Sequence, residues 1–262
     1  MYNLLKFEMY KLKYNKTFIS SVIVTAFSII WCIYLSLYNN HTIKEINDYF
    51  QGREFGILIN NFQDRVHPKF IEYFYSAFGF CPVISILVIF LVGSIVIDEY
   101  TEGTIKNIAA YGHKRVKIYI SKLIIICLSI FILIILLLFG TAIMGSFISG
   151  WNGTFSFNLF IQMMKVTISI TLVYFSLASI YICLAVIIRN KSIFAVLSII
   201  GMIIEVSYLF QFNDFFKHMP MFMFIEICML QINLYSIILN CSILIIITTL
   251  VGAFIFKNLE LK

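Results

Sequence analysis

Charged side chains are scarce in this chain: they make up 12% of its 262 residues, against 61% hydrophobic, and the mean hydropathy is +0.96. A soluble globular domain carries about 25% charged residues, so the composition excludes one and defines a polytopic membrane protein. Other shortages exclude chemistries. There is no GxxxxGK[ST] phosphate loop, so the chain is not expected to bind ATP in that way. No HExxH or other cluster of metal ligands occurs, and His41, His67, His113 and His218 are scattered along the sequence. A GxSxG elbow is missing, as is any pair of intramembrane acids that would suggest hydrolysis. Cys32, Cys81, Cys127, Cys183, Cys228 and Cys241 lie in or beside apolar runs without paired spacing, and read as small packing residues. Nor is there a repeated ten-residue alternation of the kind a membrane barrel needs. A non-enzymatic chain with no metal or cofactor of its own is expected.

What the sequence does have is long apolar runs. Six stretches are each long enough to cross a bilayer as a helix: Thr17 to Tyr38, Ser76 to Ile97, Leu123 to Phe147, Val166 to Ile188, Ser192 to Phe212, and Leu234 to Phe256. Helices are the expected form, because lipid leaves no partner for the backbone of an open strand. The fourth run has the least definite start, since Gln162 and Lys165 interrupt it. The expectation is therefore an all-α, single-domain membrane protein over residues 1–262, with six transmembrane helices.

The basic residues orient it. Thirteen of the 19 Lys and Arg fall at one end, in 1–16, 98–122, 189–191 and the C-terminal stretch. The positive-inside rule places that end, with both termini, in the cytoplasm. The net charge of +6 reflects this bias and implies no nucleic-acid partner. The first run reads as a retained anchor, being too long for a signal peptide and lacking a small-residue cleavage site. Residues 1–16 read as an amphipathic interfacial helix, with Tyr2, Leu5, Met9 and Leu12 on one side and Lys6, Lys13 and Lys16 on the other. An ordinary topology signal is the alternative.

Two outer segments stand out. Residues 39–75 carry mixed charge and have room for a short helix or two, and they include the sequon Asn40-His41-Thr42; a second sequon is Asn152-Gly153-Thr154. The Ile, Lys, Asn and Phe bias suggests an AT-rich, low-GC Gram-positive genome, in which glycosylation would be moot. Phe215 to Asn233 is too apolar for a loop and too short to cross and return, so a re-entrant or interfacial segment is expected. Inside the fifth run stands Glu205, roughly 20 Å from its inner edge at about 1.5 Å per residue. A carboxylate at that depth is either a substrate or proton contact lining a pathway, or a protonated acid bonded to a neighbouring helix.

The stretch Asp98 to Lys122, DEYTEGTIKNIAAYGHKRVKIYISK, carries five cations between two apolar runs. Thr104 to Tyr111 can form a short helix with Ile105, Ile108 and Ala109 on one stripe, ended by Gly112. So short a helix needs a partner. With the six runs and the basic N-terminus, the pattern Glu99-Tyr100-Thr101-Glu102-Gly103-Thr104, Gly112, Lys114-Arg115 and Tyr119-Ile120-Ser121-Lys122 resembles the membrane subunits of type-two ABC exporters. The resemblance covers the whole chain in topology and Glu99 to Lys122 in sequence.

That resemblance implies a permease paired with a second copy or a homologue, and driven by ABC ATPase subunits that bind ATP and Mg. Ile105, Ile108 and Ala109 would contact the ATPase, Glu102 and Thr104 would cap or orient the coupling helix, and Glu99, Gly103, Gly112 and Arg115 would complete the coupling region. Lys114, Lys117 and Ser121 would form the polar face of a following element at the interface. Glu205 and Ser85 would face the substrate path, with the apolar outer segment as exit gate. The implied cargo is an amphipathic antimicrobial peptide, bacteriocin or drug. Export of a lipid-linked polysaccharide is the alternative within the family, and a non-transporting membrane immunity or binding protein the alternative outside it.

Overall fold

The computed structural model describes residues 1–38, 49–50, 53–56, 59–60, 62–64, 66–151, 156–206, 218–228 and 234–258. Among these the chain is a helix bundle. The helices are α1 (Tyr2–Tyr14), α2 (Lys16–Tyr38), α3 (Phe70–Thr101), α4 (Thr104–Ala110), α5 (Arg115–Ser149), α6 (Phe157–Ile188), α7 (Lys191–Val206), α8 (Pro220–Cys228) and α9 (Leu234–Asn258). Five of them, α2, α3, α5, α6 and α9, are long and apolar enough to cross a membrane. The fifth expected span, Ser192 to Phe212, falls on α7, whose 16 residues reach about 24 Å at 1.5 Å each and which is not among those five. Residues 207–217, which the expected span includes in part, lie outside the described residues, as do both sequons.

Helices α3 and α5 exceed their apolar runs at both ends, and α6 exceeds its run at the start. α5 is one 35-residue helix, so the element expected before the third span is its first turns. There Ser121 is wholly buried and donates to the Ile118 carbonyl (2.7 Å), so it is no part of a polar face. Helix α6 runs unbroken through Gln162 and Lys165 from a Ser156 cap, whose hydroxyl accepts from the Leu159 amide at 3.3 Å. Gln162 donates to Tyr75 Oη at 3.1 Å, which explains a polar residue at that point.

At the centre, α5 turns Ile118, Ile125, Ile126, Leu133, Ile134 and Leu137 inward at three- and four-residue spacing, against α2, α3, α6 and α9. Three of the buried hydroxyls in this core answer to their own helix: Ser129 donates to Ile125 O, Thr141 to Leu137 O and Thr167 to Met163 O, each at 2.8 Å. No water is needed to satisfy them. Close approach of α5 to α3 rests on Gly145, where an added Cβ would lie 2.5 Å from the Tyr73 ring.

Helix α3 departs twice from α geometry, in a 3-10 turn at Ala77–Phe80 and a π turn at Gly93–Asp98. At the end opposite the basic cluster, Tyr73 Oη donates to Ser149 Oγ (3.1 Å) and Phe70 stacks on Trp151. Of the outer loop 39–75, residues 70–75 are helical as the start of α3, and before them the described residues hold three short antiparallel strands. These are β1 (Tyr49–Phe50), β2 (Arg53–Gly56) and β3 (Ile59–Asn60), in the order β1-β2-β3. The apolar outer segment contains α8, nine residues with Met221, Phe224 and Ile227 buried against the bundle.

Gly145→Ala should destabilise the chain by about 1–3 kcal/mol, because the Tyr73 ring is itself buried and cannot retreat. Gly201→Ala, where nothing lies within 4 Å of the new Cβ, should be neutral or stabilising by up to about 1 kcal/mol. Detergent-denaturation curves of the two variants check the contrast.

Candidate functional site

The basic end of the bundle is organised by one side chain. Lys122, in the second turn of α5, is 1% exposed. Its ammonium donates to Glu99 Oε2 at 2.6 Å and to the Ile95 carbonyl at 3.0 Å, and lies 3.5 Å from Glu8 Oε1. The other oxygen of Glu99 pairs with Lys11 at 2.7 Å. Thus α1, α3 and α5 meet in a network of two carboxylates and two ammonium groups, and an unpaired charge at such a position would be prohibitive. Glu8 is less well served: it is 2% exposed, and its Oε1 makes no hydrogen bond. Burial raises its carboxyl above the usual carboxylate range; the charge of Lys122 opposes this, Glu99 adds to it, and Lys11 opposes it.

Sequence reasoning missed this centre. Lys122 counts as one more cation of a basic loop until the fold buries it. The signal was in α1, where the buried residues are Leu4, Glu8 and Leu12. An acid between two leucines at four-residue spacing asks for a cation on the facing helix. The expected apolar face is corrected accordingly: Tyr2 and Met9 are 77% and 53% exposed.

Asp98, Glu99 and Tyr100 follow one another at the end of α3, and successive helical positions point about 100° apart. Each reaches a different element. Asp98 pairs with Lys191 of α7 at 2.5 Å, Glu99 holds Lys122 and Lys11, and Tyr100 Oη accepts from Arg189 Nη1 at 3.2 Å. The Arg189 guanidinium also lies 5.4 Å from the centre of the Tyr100 ring. Arg189 stands in the left-handed region at φ 54° and ends α6. Arg115 donates to the Lys257 carbonyl at 3.0 Å, which brings in the end of α9.

Two glycines frame α4. Gly103 has φ +73° and Gly112 φ +85°, conformations that favour glycine. Gly103 is the N-cap and no side chain caps the helix, so the capping expected of Glu102 and Thr104 is corrected; Glu102 is exposed and Thr104 half-buried. Gly112 ends the helix, its N–H donating to Ala109 O at 3.0 Å. The outward contact expected of Ile105 and Ile108 is also corrected. They are 1% and 7% exposed, with Ala109 half-buried beside them. The apolar stripe of α4 faces the chain's own core, where Val96, Ala185 and Phe256 surround Ile105. The solvent side of α4 presents Lys106, Asn107, Ala110 and Tyr111, the last 86% exposed. Beside it, a groove of about 360 Å³ opens between α1 and α4, lined by Leu4, Phe7, Ile108 and Tyr111.

The two expected pathway residues fare differently. Ser85 is wholly buried within the bundle; its hydroxyl donates to Tyr174 Oη at 3.2 Å, and Tyr174 donates to the Cys81 carbonyl at 2.6 Å. It joins α3 to α6, with the Tyr174 hydroxyl and the Met221 sulfur both within reach of its hydroxyl. The backbone at Glu205 belongs to α7, and its side chain lies outside the described residues.

Fold and site together define a helical membrane protein: a bundle of long apolar helices whose basic end carries a short helix, held by glycines and wired to the helices on either side. A family model described as ABC-2 family transporter protein matches residues 4–207. The chain belongs to that family and is a type-two ABC permease. No curated protein and no solved structure matches it significantly.

Removing Lys122 leaves two buried carboxylates facing each other. Lys122→Ala should cost about 3–5 kcal/mol, whereas Lys11→Ala, at a partly exposed pair, should cost under about 1 kcal/mol; denaturant titration of the purified chain reads both. Because the Glu8 pKa is raised on folding, its contribution is full below the ordinary carboxylate value of 4.5 and is lost as pH rises through the raised one. The melting temperature of wild type should therefore climb as pH is lowered from neutrality toward that range, and Glu8→Gln should flatten the climb.

Proposed function

We propose that this permease is the membrane-spanning subunit of an ATP-driven exporter that moves an amphipathic substrate, an antimicrobial peptide, bacteriocin or drug, out of the cell or out of its membrane. ABC ATPase subunits bind ATP and Mg and supply the energy; this chain carries no catalytic group and is not itself an enzyme. It pairs with a second copy or a homologous permease. The basic end and both termini face the cytoplasm, as the bias of Lys and Arg supports.

The observation that carries the reading is the two-sided character of α4. A helix of seven residues is too short to stand alone in water, and its buried isoleucines weld it to the bundle. Lys106, Asn107, Ala110 and Tyr111 remain for the ATPase, with the aromatic ring as anchor. A push on this face passes through Ile105 and Ile108 into the ends of α3, α6 and α9. It passes in parallel through Asp98, Glu99 and Tyr100 into α7, α5 and the α6 to α7 turn. Substrate meets the permease among apolar helices, with Glu205 as the one candidate acid in α7 and α8 as part of the outer exit gate. A cationic, amphipathic cargo suits that combination.

Tyr111→Ala combined with Lys106→Glu should lower copurification with the ATPase by about tenfold or more, the loss of one interface anchor and one favourable charge, while leaving the chain's own melting temperature within a degree or two. Undiminished copurification would remove α4 as the contact. Resistance of cells to a cationic antimicrobial peptide, measured with and without the ATPase, tests the cargo: protection that persists without the ATPase would favour a binding protein over an exporter.

A further inference from the structure

We propose that α1 is a docking surface for anionic phospholipid, with one face on the bundle and another on the leaflet at the basic end. Leu4, Glu8 and Leu12 are buried against the bundle. Asn3, Leu4 and Phe7 border α4 across the groove between the two helices. At 100° per residue, Tyr2, Leu5 and Met9 form a third stripe, about 140–160° round from Phe7. Among the described residues little covers it, since Tyr2 is 77% and Met9 53% exposed. Because α4 joins the ends of α3 and α5, the side of α1 toward α4 faces out of the bilayer and the opposite side faces into it. Asn15 fixes the corner where α1 gives way to α2. Its backbone is extended, its Oδ1 accepts from the Phe18 amide, and its Nδ2 donates to Ser94 Oγ of α3, both at 3.0 Å. Ser94 lies about 10 Å before α3 ends at Thr101, so α1 sets out from a level within reach of the lipid surface.

The border of that stripe is cationic. Lys6 and Lys13 are exposed and lie within about 20° of each other, two turns apart. Lys16 is exposed at the corner. None of the three pairs with an acid among the described residues; Lys13 Nζ lies instead 5.7 Å from the centre of the Tyr14 ring. Lys11, by contrast, is answered by Glu99, and Glu8, the one acid of α1, is turned inward. The charges that balance are on the bundle side, and the charges left over border an exposed apolar strip. A neutral lipid surface would cover Tyr2 and Met9 and leave the lysines unanswered. A free anion would answer the lysines and leave the strip in water. Anionic phospholipid does both, with its acyl boundary against Tyr2, Leu5 and Met9 and its phosphate against Lys6 and Lys13. The inference concerns α1 and the bilayer, and stands whether or not the export reading holds.

Local fluorescence quenching tests it. The full chain with Trp31→Phe, Trp151→Phe and Met9→Trp is placed in vesicles of phosphatidylcholine and phosphatidylglycerol, with bromine on the acyl chains of one lipid or the other. At equal mole fraction, brominated phosphatidylglycerol should quench the introduced indole several-fold more strongly than brominated phosphatidylcholine, since each lysine near an anionic surface favours it by about fivefold. Adding Lys6→Gln and Lys13→Gln, both at exposed positions where folding is not at stake, should bring the two lipids close to level. Molar salt, with a screening length of about 3 Å, should do the same without any substitution. Lys106→Gln, on the solvent side of α4, should leave the excess unchanged. Absence of quenching by either lipid overturns the proposal, because the stripe then does not meet the bilayer. Equal quenching by both lipids before the lysines are changed, or an excess that survives their replacement, overturns it too, since either result means apolar contact without recognition of charge.

Discussion

An ammonium group buried among hydrocarbon side chains must find anions within about 4 Å or lose its charge, and at Lys122 this requirement decides how three helices meet. The head of Lys122 reaches Glu99, the Ile95 carbonyl and the neighbourhood of Glu8. Helix α5 therefore cannot rotate or slide against α3 without exposing an unpaired charge. Helix α1 buries Leu4 and Leu12 in the apolar core and is held in addition by Glu8 and Lys11. The apolar core provides most of the burial, and the ion network selects the one arrangement of that core in which charges are answered.

The same economy of contacts explains the short helix α4. Its two buried isoleucines and the three consecutive residues Asp98, Glu99 and Tyr100 make it continuous with the bundle in mechanical terms. Apolar packing is bistable rather than elastic, so displacement at one end of a 32-residue helix such as α3 is passed along it instead of being absorbed locally. Ion pairs to α7 and α5, and the stacking of Arg189 on Tyr100, spread that displacement over most of the helices that cross the membrane.

Much of this was open to reading from the residues. Runs such as Leu123 to Phe147 have few alternatives to a membrane helix, and the extent of α4 follows from Gly103 and Gly112, since both need positive φ. Local periodicity served well there because the physics is local. It served badly where the partner is far along the chain. The stripe Ile105, Ile108 and Ala109 announces a buried face but not against what, and the core of the same chain took it. Likewise, Glu99 and Lys122 both belong to the family-like pattern, but nothing in it says that they meet or that Glu8, far back in the chain, joins them. Ser85 looked available for a pathway because a serine in an apolar run is conspicuous, yet Tyr174, 89 residues away, accounts for it. The small sheet in the outer segment was hidden by mixed charge, which suits helix and hairpin equally.

The π turn at Gly93–Asp98 has a consequence for the length of the chain. Such a turn contains one residue more than an α turn, and the residue beyond it is set by that count. The wider turn absorbs that extra residue, so the helix keeps its register on either side, and Glu99 and Tyr100 point where a regular helix one residue shorter would point them. The segment is a length buffer: a one-residue deletion within it leaves the residues beyond in place, whereas the same deletion in the α turns before Gly93 would swing Asp98, Glu99 and Tyr100 by about 100°.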